Sequence, residues 1–214
     1  MRIRTWIFAG LVALAFAVNL GLVSLRIAQT GEDTVRSRMA LASSALRAQL
    51  ELLDARLSPR AVATVPDLIE ATRAPADPTL ETPRPDERAL RAAASVLTPE
   101  PDLVAVASAK GAVLSRRGKP AQQLDDAAQL PLGKAALEGS PAPAFVLWDG
   151  AVWRIAAARI PGNAAAVVVG TMVDDRLAGQ LKSQVDADVT FLTTGKVVAS
   201  SLSGEERGRV ARWV

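Results

Sequence analysis

The 214-residue sequence contains no Cys, no His and no Tyr, and only 4% of its residues are aromatic. Without Cys there is no disulfide, no thiolate nucleophile and no zinc-thiolate or iron–sulfur site. Without His there is no imidazole base, no Ser-His-Asp triad and no imidazole ligand for zinc, copper or haem. Carboxylates alone would have to hold any metal. The chain also lacks a Gly-rich phosphate loop ending in Gly-Lys-Ser/Thr, and its Gly residues at 170 and 195 stand singly. These absences point away from an enzyme and toward a binding or structural role, and they predict no catalytic residue, no metal and no cofactor.

The formal charge is +3 with a sequence pI near 9.8, but the excess is local. Arg2 and Arg4 precede the apolar run Trp6–Leu25, and removing residues 1–25 leaves 23 basic residues against 22 acidic ones. No dense cationic surface interleaved with aromatics remains, so nucleic acid is not an expected partner. The run WIFAGLVALAFAVNLGLVSL has 20 residues and no charge. At about 1.5 Å per residue it spans about 30 Å, the thickness of a bilayer core. It is longer than the apolar part of a usual signal peptide, and no small-x-small cleavage site follows it, which favours an uncleaved anchor. The flanking Arg residues favour a cytoplasmic N-terminus with the bulk exported to a periplasm, on a single-pass inner-membrane chain.

Beyond the anchor, Val35, Met39, Ala42, Leu46, Leu50, Leu53 and Leu57 recur at spacings of three and four, a heptad-like stripe. It predicts a long helix over residues 27–58, either packing on its own domain or pairing as a stalk with a second copy. Pro59 ends it. Residues 59–101 hold 8 of the 13 prolines and form a helical connector, with short helices at Pro66–Glu70 and Asp86–Val96 around a turn-rich loop at Pro75–Pro85.

From residue 102 the period changes to that of strands. The expected strands are Leu103–Ser108, Ala112–Ser115, Ala144–Trp148, Ala151–Ile160 and Ala164–Val173, with hairpin turns at Lys110-Gly111 and Asp149-Gly150. Gln123–Leu137 reads as helical, with Leu124, Ala128 and Leu132 on one side, although Pro131 interrupts it. Asp174 is placed to cap a helix over Asp175–Val185. Asp188–Leu192 and Val197–Ser200 form a further strand pair across Thr194-Gly195. Ser203 and Glu206 have capping-box spacing for a last helix.

An anchor and a long amphipathic helix, followed by Pro101-Asp102-Leu103-Val104-Ala105-Val106 with Lys110-Gly111 and Val113, resemble the start of a Cache-type sensor lobe. Val168-Val169-Gly170-Thr171, Asp174–Leu181, Ala187–Leu192 and Gly195–Ser201 are similar to later parts of double-Cache regions. The resemblance spans roughly residues 30–202 and implies the extracytoplasmic, PAS-like sensor region of a bacterial transmembrane signal transducer. It implies an α+β fold: an N-terminal transmembrane helix and a stalk helix, then a PAS/Cache-like antiparallel sheet flanked by helices, with the lobe over 102–202 and a further helix from 203 to 214. Such regions serve histidine kinases, nucleotide cyclases or chemoreceptors, bind small molecules and shift a dimeric helix pair. On this resemblance the chain is expected to be the sensory front end of a transducer without its output: a truncated reading frame, a split gene or a stand-alone sensor subunit. The competing expectation is a membrane-anchored periplasmic interaction or assembly factor without a small-molecule ligand.

Few side chains are suited to a specific site. Trp148 and Trp153 flank the Asp149-Gly150 turn, Phe145 lies on the preceding strand, and Arg154 shares a strand face with Val152, Ala156, Ala158 and Ile160. In the ligand-binding reading Phe145 and the two Trp residues line a pocket and Arg154 pairs with an anionic group. In the bland reading the aromatics pack the sheet and Arg154 faces solvent at a sheet edge. Arg116-Arg117, after the second strand, either faces a lobe pocket or is a solvated pair, and the usual exposure of Arg favours the solvated pair. The acidic pairs Asp125-Asp126, Asp174-Asp175 and Glu205-Glu206 coincide with helix starts. The Tyr-rich signature of amino-acid-binding Cache domains is absent.

Overall fold

The computed structural model describes residues 34–73, 85–108, 111–116, 122–125, 129–139, 141–194 and 196–212. The expected anchor at 6–25, residues 27–33 of the expected stalk and most of the Pro75–Pro85 loop lie outside these. No helix among the described residues is long and apolar enough to cross a membrane. The chain divides into two units, residues 1–47 and 48–214.

A helix, α1, runs over residues 34–57. In the first unit its residues are largely exposed, with Val35 at 52%, Met39 at 65% and Leu41 at 72%. In the second unit the apolar stripe is used: Leu50 and Leu53 are half-buried and Leu57 is buried. Pro59 ends α1 as expected, and it also starts the next helix, α2 (Pro59–Ala63), because its missing N–H falls where a helix leaves that donor unused. Pro66 does the same for α3 (Pro66–Thr72). Asp86 caps α4 (Glu87–Ser95) by accepting from the Ala89 amide at 2.8 Å.

Six strands form one antiparallel sheet: β1 (Leu103–Ser108), β2 (Gly111–Arg116), β3 (Gln122–Leu124), β4 (Ala144–Trp148), β5 (Ala151–Arg159) and β6 (Ala165–Met172). Their order is β3-β2-β1-β6-β5-β4. The central strands β1 and β6 read as almost continuous apolar runs because both of their faces are covered. Val104 pairs with Val169 and Val106 with Val167. On the first face these residues, with Ala156 and Ala158, pack against Leu57, Val62, Leu68 and Leu90 from α1 to α4. On the second face Leu103, Ala105, Leu114, Ile155, Ala157 and Val168 pack under Leu130 and Ala136. The sheet is therefore the middle of three layers.

Gln123–Leu137 is not a single helix. Gln122–Leu124 adds to the edge of β2 as a strand, and only Gly133–Glu138 is helical, as α5. Pro131 cannot donate into a preceding turn, and Leu132 takes a left-handed conformation (φ 60°) that breaks any helix through it. Leu124 and Leu130 are drawn instead to the second-face core.

The remaining elements match their local signals. Asp174 accepts from the Leu177 amide at 2.8 Å and caps α6 (Asp175–Val185). The strands β7 (Thr190–Thr193) and β8 (Lys196–Ser200) pair with a bulge at Phe191/Leu192. The Glu206 carboxylate accepts from the Ser203 amide at the start of α7 (Gly204–Ala211). Asp175 ties these pieces together: it accepts from the Ser200 amide at 2.8 Å and from Arg207 at 2.7 Å.

Candidate functional site

The hairpin of β4 and β5 turns at Asp149 and Gly150, both at positive φ (51° and 73°), as a two-residue hairpin loop requires. Its register pairs Val146 with Trp153, Trp148 with Ala151, and Phe145 with Arg154. Side chains alternate along a strand, so Trp148 and Trp153 emerge on the second face of the sheet and Phe145 and Arg154 on the first. The four expected site residues thus make two clusters, back to back, rather than one pocket.

On the second face the indoles of Trp148 and Trp153 lie 6.1 Å apart at 59°. Trp153 Nε1 donates to the Trp148 carbonyl at 3.2 Å, which fixes the pair. The third member is Arg116. Its guanidinium lies 5.1 Å from the Trp148 ring and 5.6 Å from the Trp153 ring, within cation–π range of both. One nitrogen bonds Asp149 Oδ2 at 2.6 Å, closing the cluster against the hairpin turn. Its side chain is only 18% exposed. Arg116 Nε is buried without a hydrogen-bond partner, the one such side-chain atom among the described residues. An N–H in that state is costly, and an arriving acceptor would relieve it.

The expectation of a solvated Arg116 therefore fails; Arg117 lies outside the described residues. Residue parity carried the missing signal. Ala112 and Leu114 are buried on the second face, and Arg116 is the next residue of that alternation.

On the first face Arg154 donates to Asp54 of α1 through two bonds, Nε to Oδ1 at 2.7 Å and Nη2 to Oδ2 at 2.5 Å. This is the parallel fork that a guanidinium and a carboxylate make best. The side chains are 13% and 23% exposed. The guanidinium stacks 4.6 Å from the centroid of the Phe145 ring, and Phe145 meets Phe191 of β7 at 6.0 Å. The sheet-edge explanation for Arg154 does not hold, because β5 lies between β6 and β4. Its partner, Asp54, lies between Leu53 and Leu57 of the α1 stripe.

A groove of about 100 Å³ lies between α1, the 97–102 segment and α6, floored by Leu53, Leu57, Leu97 and Leu181. Among the described residues no group of three or more acidic side chains is placed to hold a metal ion.

No protein-family model matches the chain, and no curated protein matches it significantly. Among solved structures it is similar to the sensory domain of the Campylobacter jejuni chemoreceptor Tlp3 (CcmL) with isoleucine bound. The two share 16% identity over 79% of this chain and 75% of that one, with a TM-score of 0.38. The ligand-binding domain of the same chemoreceptor in complex with L-valine is similar at 14% identity, over 79% and 75% of the two chains, with a TM-score of 0.39.

Proposed function

We propose that the chain is the membrane-anchored, periplasmic sensory part of a signal-transduction protein, and that it binds a small anionic molecule on the second face of its sheet. The observation that carries the site is the buried, unpartnered Arg116 Nε beside two indole rings. A carboxylate is the group complementary to it. The guanidinium offers the carboxylate a fork, and Trp148 and Trp153 offer flat apolar surface to the rest of the ligand. Asp149 now holds one arm of that fork and is 59% exposed, so it can swing into water when a ligand carboxylate replaces it. Support for the wider reading comes from the element order: an apolar 20-residue run, a long helix, then an antiparallel sheet between helical layers. Val35 and Met39, which share the heptad-like stripe on the exposed part of α1, suit pairing with a second copy as a stalk. A ligand would act by favouring one of two stalk arrangements, to the extent that its affinity differs between them.

The test is titration of the full chain, in detergent micelles, with a panel of small carboxylates that includes L-isoleucine and L-valine. Calorimetry and Trp fluorescence are the readouts. Saturable binding is expected. Arg116→Gln should weaken it about 100-fold, from the loss of two charge-assisted bonds worth ~1.5 kcal/mol each. Equal affinity in Arg116→Gln would refute the site.

One observation favours the second reading, an assembly factor. Edge strand β4 exposes Leu147 at 65% and Phe145 at 42%, and such an edge can pair with a partner's strand. No carboxylate binding, together with specific protein capture that Leu147→Glu abolishes, would favour it.

A further inference from the structure

Trp153 and Arg154 are consecutive residues of β5, and each anchors one of the two clusters. Their opposite neighbours on β4, Val146 and Phe145, are consecutive as well. The β4–β5 hairpin is thus a two-sided ribbon, with the Arg116–Trp148–Trp153 cluster on one side and the Asp54–Arg154–Phe145 cluster on the other. Among the described residues β4 has no strand beyond it, so the ribbon forms one edge of the sheet.

We infer that the Arg154–Asp54 pair is a releasable clasp, through which the state of the Arg116–Trp148–Trp153 site sets how firmly α1 is held to the sheet. The trigger rests on the ligand reading of that site; the coupling itself is a property of the protein without ligand. Three features carry the inference. The pair joins residues 100 positions apart, a helix to a strand, in forked geometry. Both partners keep some exposure, 13% and 23%, so water can reach and solvate them when the clasp opens. Arg154 is also positioned from below by the Phe145 ring, which belongs to the same ribbon. A carboxylate drawn under Arg116 displaces Asp149 at the ribbon's turn and presses on Trp153. The Trp153 indole is buried and tied to the Trp148 carbonyl, so a push on it passes to the backbone it shares with Arg154. A fork tolerates little misalignment, so the clasp responds as closed or open, in the way packed contacts switch between discrete arrangements.

Amide hydrogen exchange over residues 50–57 of the full chain tests the coupling without any ligand, with Arg116→Gln standing in as the disturbance of the second face. Four proteins are compared: wild type, Arg116→Gln, Asp54→Asn and the double variant. Arg116→Gln is expected to speed exchange in this helical segment by about threefold or more. In the Asp54→Asn background it should add nothing, because the clasp is already open. If Asp54→Asn is not folded by circular dichroism, Arg154→Lys replaces it; it keeps the charge, loses the fork and should shrink the increment. An equal increment in both backgrounds, or none in the wild type, overturns the clasp. The outcome is independent of whether any carboxylate binds, so failure of the ligand reading and failure of the clasp are told apart.

Discussion

Asn163, in the turn between β5 and β6, offers a sharp test of how the first-face helices are fixed to the sheet. It is 6% exposed. Its amide nitrogen donates to the Ile69 carbonyl at 2.9 Å and to Thr72 Oγ1 at 2.8 Å. Thr72 is itself buried, and its hydroxyl hydrogen goes to the Leu68 carbonyl at 2.8 Å, so Oγ1 is an acceptor toward Asn163. Asn163→Ala removes two bonds worth about 1 kcal/mol each and leaves the Ile69 carbonyl with only the 3.3 Å contact from Thr72 Oγ1, for a loss of about 2–3 kcal/mol. Asn163→Asp changes one atom and no shape, yet it is expected to do more harm. A carboxylate there faces one acceptor that cannot change and one hydroxyl that can turn toward it only by abandoning Leu68, while the Arg159 guanidinium at this turn is directed to the residue-163 backbone carbonyl at 3.4 Å. An ion left so poorly paired in a buried site costs about 3–5 kcal/mol. The new carboxyl should have a raised pKa. Its penalty is then full above the folded pKa and shrinks as pH falls through it, because the protonated acid can donate once. Urea unfolding at pH 7 and pH 5 measures this. The expected order at pH 7 is wild type, then Ala, then Asp, with Asp gaining on Ala at pH 5. Asp equal to or better than Ala at pH 7 would refute the network as described.

Two more predictions concern the sheet and the C-terminal elements. Gly170 lies beside Leu103 and Ile155 in the sheet, and a Cβ there would stand 2.9 Å from Ile155 Cγ2 and 3.4 Å from the Arg154 carbonyl. Gly170→Ala should therefore cost about 1–3 kcal/mol from overpacking, less the ~0.4–1 kcal/mol that a stiffer unfolded chain returns, and a urea midpoint that rises would contradict it. The Ser200 amide, with help from Arg207, holds the Asp175 carboxyl below its ordinary value. A depressed folded pKa contributes stability above the unfolded value and loses it as pH falls through the folded one. The Ser200 amide should accordingly lose exchange protection only below about pH 4, and in Asp175→Asn that acid step should vanish.

Much of the fold was legible because its signals are local. Asp149-Gly150 between apolar runs specified the β4–β5 hairpin, Asp174 specified the start of α6, and the alternation along β5 assigned Trp153, Ile155 and Ala157 to one face and Ala156, Ala158 and Ile160 to the other. Gln123–Leu137 departs from the helical expectation for the same reason. Leu124, Ala128 and Leu132 mimic a helical stripe, and nothing within that window reveals that β2 offers an open edge for Gln122–Leu124 to pair with. The site was half legible. Trp148 and Trp153 do meet, but Arg116 reaches them from 33 residues before Asp149, and Asp54 reaches Arg154 from 100 residues away.

The two arginines obey one rule of strand parity. The general exposure of Arg made a solvated Arg116 the natural expectation, and the same habit left Arg154 open to a solvent-facing explanation. Yet each lies on a strand at a position whose alternate neighbours are buried: Ala112 and Leu114 for Arg116, Ala156 and Ala158 for Arg154. On such a strand the backbone aims the side chain, and burying a guanidinium unpaired is too costly to persist. Inward parity therefore predicts a carboxylate partner and an apolar or aromatic surface beneath the charge, even where the partner cannot be named. Both arginines have found that environment, Arg116 with Asp149 and two indoles, Arg154 with Asp54 and Phe145. The difference between them lies in completeness. The Arg154 Nε and Nη2 are both engaged with Asp54, whereas Arg116 retains a buried Nε without a partner. A satisfied fork is suited to holding a helix, and an unsatisfied one to receiving a ligand.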